Sequence, residues 1–110
     1  LVARYQFLIE NRLNDPNPKP DYFSTSYYAT ELAVHPNHLN AVAKRITNKT
    51  AKQLIQEKLL LAAKSLLLQT DLSVKEVAYQ LGYLETSHFH RFFKKATALT
   101  PTQFRAVGEV

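Results

Sequence analysis

The chain has 110 residues, 45% of them hydrophobic, and a net charge of +5. That length holds one compact domain or two very small ones, and the apolar fraction supplies a core, which argues against disorder. Only two glycines argue against a turn-rich all-β fold, zero cysteines exclude disulfide and thiolate chemistry, and no apolar run approaches a bilayer span.

Residues 1–14 place Leu1, Tyr5, Leu8, Ile9 and Leu13 on one helical stripe. The segment "DPNPKP" (15–20) stops that helix and forms a short stiff connector. A short helix over 26–34 offers Ala29, Leu32 and Ala33 to a core. Pro36 suits the first turn of the next helix, which runs to about Ile46. Thr50 to Gln53 is a capping box, so a long helix starts there and continues to about Gln69, with Leu54, Ile55, Leu59, Ala62 and Leu66 as its apolar positions. Ser73 to Glu76 is a second box, and its helix ends at Gly82, where a left-handed residue costs little. A helix over about 86–96 follows. Thr100 to Gln103 is a third box, opening a final short helix. The expected fold is all-α, with seven helices and no strands.

The chain also repeats itself. "ATELAV" (29–34) matches "AYQLGY" (78–83), and Leu39, Lys44, Thr47 and Thr50 match Phe89, Lys94, Thr97 and Thr100. The offset is 49 residues before the turn and 50 after it. Agreement in caps, core positions and basic positions points to a duplicated unit.

Charge follows the repeat. Residues 1–31 hold three cations (Arg4, Arg12, Lys19) against four anions (Glu10, Asp15, Asp21, Glu31), which leaves +6 for residues 32–110 out of the net +5. A basic C-terminal portion points to an anionic partner, nucleic acid before membrane. At 100° per residue, Phe89, Phe92, Phe93 and Ala96 fall on one side of their helix, while Ser87, Arg91 and Lys94 fall opposite, flanked by His88, His90 and Lys95. In the first copy Leu39, Val42, Ala43 and Ile46 take the inward spacing. Asn37, Ala41 and Lys44 face out, flanked by His38, Asn40 and Arg45. Each helix follows a shorter one across a tight connection, which is the helix-turn-helix arrangement. Arginine reads guanine and asparagine reads adenine by paired bonds, serine and histidine offer single bonds, and lysines suit phosphates.

The stretch "DLSVKEVAYQLGYLETSHFHRFFKKATALTPTQFR" (71–105) resembles the C-terminal signature of the AraC/XylS family of bacterial transcription regulators. "YYATELAVHPNHLNAVAKRITNKTAKQLI" is similar to that family's first helix-turn-helix, and "LLLAAKSLLLQT" to its linking helix. The resemblance covers about residues 21–106. It implies two helix-turn-helix subdomains joined by a long helix, with two recognition helices in successive major grooves, about 34 Å apart as one turn of DNA requires. It divides the chain into an N-terminal helix and connector (1–20), a first unit with the linking helix (21–69), and a second unit with the C-terminal helix (70–110). It implies base contacts from Asn37, His38 and Asn40 in the first unit and from Ser87, His88, His90 and Arg91 in the second. Phosphate contacts fall to Lys44, Arg45, Lys49, Lys94 and Lys95. It further implies double-stranded DNA as partner, RNA polymerase as a possible second one, a sensing or dimerising domain elsewhere in a larger regulator, a cytoplasmic setting, and no cofactor.

Three positions depart from the family pattern. Ala98 stands where glycine is usual, Ala41 where many members carry arginine, and Lys58 where arginine is frequent. The first unit is therefore expected to read fewer bases than the second. The phenylalanine stripe is core and not a cofactor box, and Tyr27, Tyr28, Tyr79 and Tyr83 are packing residues with polar tips at the surface. His88 and His90 point about 200° apart on a helix and cannot chelate one ion. Arg105 fits either a structural contact or a phosphate. No phosphate loop, nucleophile elbow or carboxylate pair supports an enzyme. The rival is a basic helical module docking an acidic protein such as a polymerase subunit.

Overall fold

A computed structural model describes residues 1–108. Among them are seven α-helices and no strand: α1 (Val2–Leu13), α2 (Thr25–Glu31), α3 (Pro36–Thr47), α4 (Ala51–Gln69), α5 (Val74–Gln80), α6 (Thr86–Thr97) and α7 (Pro101–Gly108). Residues 109 and 110 of the C-terminal segment lie outside the described residues. A single 3-10 turn at Pro20–Phe23 adds an element that the proline-rich connector did not announce.

All three capping boxes form. Thr50 and Gln53 exchange side-chain and backbone bonds at 2.8 and 3.1 Å, as do Ser73 with Glu76 and Thr100 with Gln103. Pro36 begins α3, where its missing N–H removes no intrahelical bond. His35 precedes it as a cap, its Nδ1 accepting from the Asn37 amide at 3.0 Å.

Two cores form, and α4 belongs to both. Tyr5 and Ile9 from α1, Tyr28, Ala29 and Leu32, and Leu39 and Ala43 from α3 pack with Ala51, Leu54 and Ile55 at the start of α4. Leu59, Ala63 and Leu67 further along α4 pack with Val77, Ala78, Leu81, Phe89 and Phe93. The expected pair Ala62 and Leu66 is only half-buried, because the second core takes α4 at successive i+4 steps from Leu59. The inward stripe of each recognition helix is also narrower than expected. Leu39 with Ala43, and Phe89 with Phe93, are buried, but Ile46 is 65% exposed and Ala96 is exposed too. Both sit seven residues after the first anchor, in the last turn of their helix, where the core has ended.

The aromatic anchors differ between the cores. The Phe93 ring lies 5.8 Å from Phe89 and 5.2 Å from Phe104, and Tyr83 lies 5.4 Å from Phe89. In the first core the rings come from α1 and α2, with Tyr5 edge-on to Tyr28 at 5.6 Å. Tyr28 is fully buried and not surface-tipped, because its hydroxyl donates to the Tyr22 carbonyl at 2.8 Å. Tyr79, at 71% exposure, packs little.

The turns repeat in detail. Thr47 Oγ1 donates to the Ala43 carbonyl and accepts from Lys49 N, and Thr97 Oγ1 does the same with Phe93 and Leu99. Asn48 and Ala98 then take left-handed backbone, with φ of 62° and 67°. Gly82 has φ of 101°, and Ala33, its match in the first copy, has φ of 57°. Ala33 is therefore a turn residue and exposed, not part of the core as its spacing suggests, because α2 ends before it. The connector packs on the Gly82 turn. A Cβ there would lie 3.4 Å from the Lys19 carbonyl and 3.5 Å from Pro18 and Phe23.

Ala98→Gly should raise stability by about 1 kcal/mol, since glycine carries no Cβ penalty at positive φ, and Asn48→Gly by less. Thermal melts check this, with a gain of roughly 4–8 °C expected for Ala98→Gly. Glu76 is held below the usual carboxylate range by its bonds from Ser73. Its contribution is present above the unfolded pKa and is lost as pH falls through the lower folded one. Melts of Glu76→Gln against wild type should therefore converge toward low pH.

Candidate nucleic-acid interface

Burial of Phe89 and Phe93 fixes which way α6 faces. Ser87, His88, Arg91, Lys94 and Lys95 are exposed on its far side, and His90 is half-buried at its edge. Burial of Leu39 and Ala43 does the same for α3, leaving Asn37, His38, Asn40, Lys44 and Arg45 exposed. Position by position, burial from 41 to 48 repeats from 91 to 98. The outward faces thus hold a polar N-terminal half and a basic last turn. Cations in a last turn also favour the negative end of the helix dipole, so their placement serves the helix as well as a ligand.

Local partners modify three of the expected contacts. Asn40 Oδ1 accepts from the Ala51 amide at 3.0 Å, so this carboxamide is turned toward α4. The Lys49 ammonium pairs with Glu57 one turn into α4. His88 Nε2 lies 3.8 Å from the Glu85 carboxylate, an ion pair only when the imidazole is protonated. Both partners of that last pair are exposed, so it weighs little.

A groove of about 470 Å³ runs between the two units. Leu60, Phe92 and Ala96 line it with Gln53 and Gln56, and at its rim stand Lys49, paired with Glu57, and Lys95. It brings together one expected phosphate contact from each copy, which spacing within a single helix could not reveal.

Three other basic residues make structural contacts. Arg105 Nε donates to the Leu67 carbonyl at 2.9 Å, tying α7 to α4 and resolving its ambiguity in favour of the fold. Lys58 Nζ pairs with Glu10 at 2.6 Å, tying α4 to α1. Arg12 donates to the Tyr27 hydroxyl at 2.7 Å and lies 3.7 Å from Glu31. Among the described residues, no three His, Cys, Asp or Glu side chains gather as a metal site.

Two short helices, each followed across a tight turn by an exposed basic helix and joined through one long helix, define a double helix-turn-helix DNA-binding domain. Residues 28–106 match the family described as a helix-turn-helix domain. The chain belongs to that family, in its AraC/XylS type. Over 62 residues it is 44% identical to the xylose operon regulatory protein of Haemophilus influenzae, a match covering 56% of this chain and 16% of that one. The C-terminal domain of AraT, a response regulator from Geobacillus stearothermophilus, superposes with a TM-score of 0.84 at 26% identity, over 96% of this chain and 84% of that one. The C-terminal domain of the two-component response regulator yesN from Fusobacterium nucleatum gives 0.81 at 28% identity, over 94% and 96%.

Arg105→Ala should destabilise the domain by about 1.5 kcal/mol, the low end for a bond from a charged donor, because its Nη2 is buried without a partner among the described residues. Denaturant melts check this. The salt dependence of DNA binding should not change.

Proposed function

We propose that this domain binds a specific DNA site by placing α3 and α6 in successive major grooves on one face of the duplex, and so regulates bacterial transcription. The observation that carries the reading is the matched exposure of the two helices. Each turns a polar and basic face outward, opposite a buried anchor at the same register.

The roles follow from chemistry and place. Arg91, in the middle of α6 and exposed, suits bidentate contact with guanine O6 and N7. Ser87, His88 and His90 flank it with single donors or acceptors. Asn37 and His38 do this in α3, where Ala41 at the Arg91 position offers no hydrogen bond. The second unit therefore carries more of the base discrimination. Lys44, Arg45, Lys94 and Lys95 supply salt-sensitive phosphate contacts. Lys49 joins them only by sharing its charge with Glu57.

The chain spans 16% of the length of the Haemophilus influenzae regulator. In a regulator of that kind this domain works in the cytoplasm beside a sensing or dimerising domain, and the bound complex meets RNA polymerase. No helix among the described residues is long and apolar enough to cross a membrane.

Selection from random duplex DNA, followed by titration across a salt series, tests the reading. Two enriched blocks one helical turn apart are expected. Arg91→Ala should cost about 1–3 kcal/mol and relax one base position, whereas Lys94→Gln should weaken all sequences alike and reduce the salt slope by about 1. Equal, weak binding to every duplex would overturn specific readout and favour an acidic protein as the true partner.

A further inference from the structure

The amide at the start of α4 has an unusual partner. A helix start leaves its first N–H groups without intrahelical acceptors. The capping box of α4 uses the Thr50 and Gln53 amides, and those of Ala51 and Lys52 remain, the second on an exposed residue. Ala51 is only 1% exposed, so water cannot readily serve it. The acceptor is Asn40 Oδ1, eleven residues back in the recognition helix, at 3.0 Å. The Ala51 carbonyl is engaged as well, accepting the Tyr5 hydroxyl at 2.6 Å.

Fifty residues on, the same box opens α7, but Pro101 stands in the place of Ala51. Proline has no N–H. The demand that Asn40 meets is therefore absent from the second unit, and the residue in the place of Asn40 is His90. The two departures are complementary: an acceptor where there is an amide, and a different side chain where there is none.

We propose that Asn40 is a positioning residue that pins the first recognition helix to α4, and that Pro101 releases His90 for base contact in the second unit. This deepens the DNA-binding reading and rests on it. Bidentate recognition of adenine needs both the oxygen and the nitrogen of an asparagine at one base edge. An oxygen held by Ala51 breaks that pair. Asn40 then acts through the position of α3, and Asn37 and His38 remain as its readers.

Melts of the whole chain test the first part without DNA. Asn40→Ala should lower Tm by roughly 4–8 °C, since it strands a buried donor. In an Ala51→Pro background, which removes that donor at a position where proline suits a helix start, the loss should vanish. An undiminished loss there would overturn the assignment. Should Ala51→Pro fail to fold, a second pair decides. Asn40→Asp keeps an acceptor and should stay near wild type, while Asn40→Leu should not. Equal losses in the two would sink the idea.

Selection from random duplex DNA tests the rest. Asn40→Ala should lower affinity for a two-block site several-fold while leaving the base identities of the first block unchanged. Loss of preference at one position of that block would make Asn40 a reader and overturn its positioning role. His90→Ala should relax one position in the second block, and an unchanged block would overturn the release by Pro101. If the wild-type chain selects no site at all, the DNA-binding reading and the role of His90 fall together, while the melts still decide Asn40.

Discussion

A single 19-residue helix serves both hydrophobic cores, and every other placement depends on it. At 1.5 Å per residue α4 is about 28 Å long, comparable with one turn of duplex DNA. Its first turns bury Leu54 and Ile55 against α1, α2 and α3, and its later ones bury Leu59, Ala63 and Leu67 against α5 and α6. Neither unit can shift along α4 without uncovering apolar surface. Burial of that kind is worth about 25 cal/mol per Å², so the spacing of the two recognition helices is built into packing. The same sharing explains why α4 is apolar around most of its circumference, where an ordinary surface helix has one stripe.

The two units share one frame and differ at specific places. Threonine bonds, left-handed turns and capping boxes are held in common. The anchors are not: Phe89 and Phe93 carry α6, whereas Leu39 and Ala43 carry α3 and leave space that Tyr5 and Tyr28 occupy. The first core thus borrows aromatic bulk from α1. Polar ties join α1 to its neighbours as well, Lys58 to Glu10 and Arg12 to Tyr27.

Much of this was legible in the residues because it is local. Caps, helical periodicity and the two anchors of each recognition helix depend on neighbours within one or two turns, and they predicted seven helices and the outward faces. What could not be read depends on which element lies opposite. Whether α4 steps by three or four residues after Leu59 is decided by where α5 and α6 sit. Ile46 looked internal because nothing in the chain says where a core stops. The tie from Asn40 to α4 could not be read, because its partner, an amide eleven residues away, carries no side-chain signature. Arg105 became structural only when the Leu67 carbonyl was placed beside it. The groove that joins Lys49 to Lys95 is likewise a property of two units together.

The connector of residues 15–20 is more than a spacer. Its Pro18 and Lys19 lie against the left-handed turn at Gly82, together with Phe23 from the 3-10 turn. Gly82 stands directly ahead of the residues that launch α6. Prolines make the segment stiff. The N-terminal segment thus meets both units, α1 packing on α3 and the connector on the turn ahead of α6. A side chain at position 82 would therefore press on the connector as well as strain the turn.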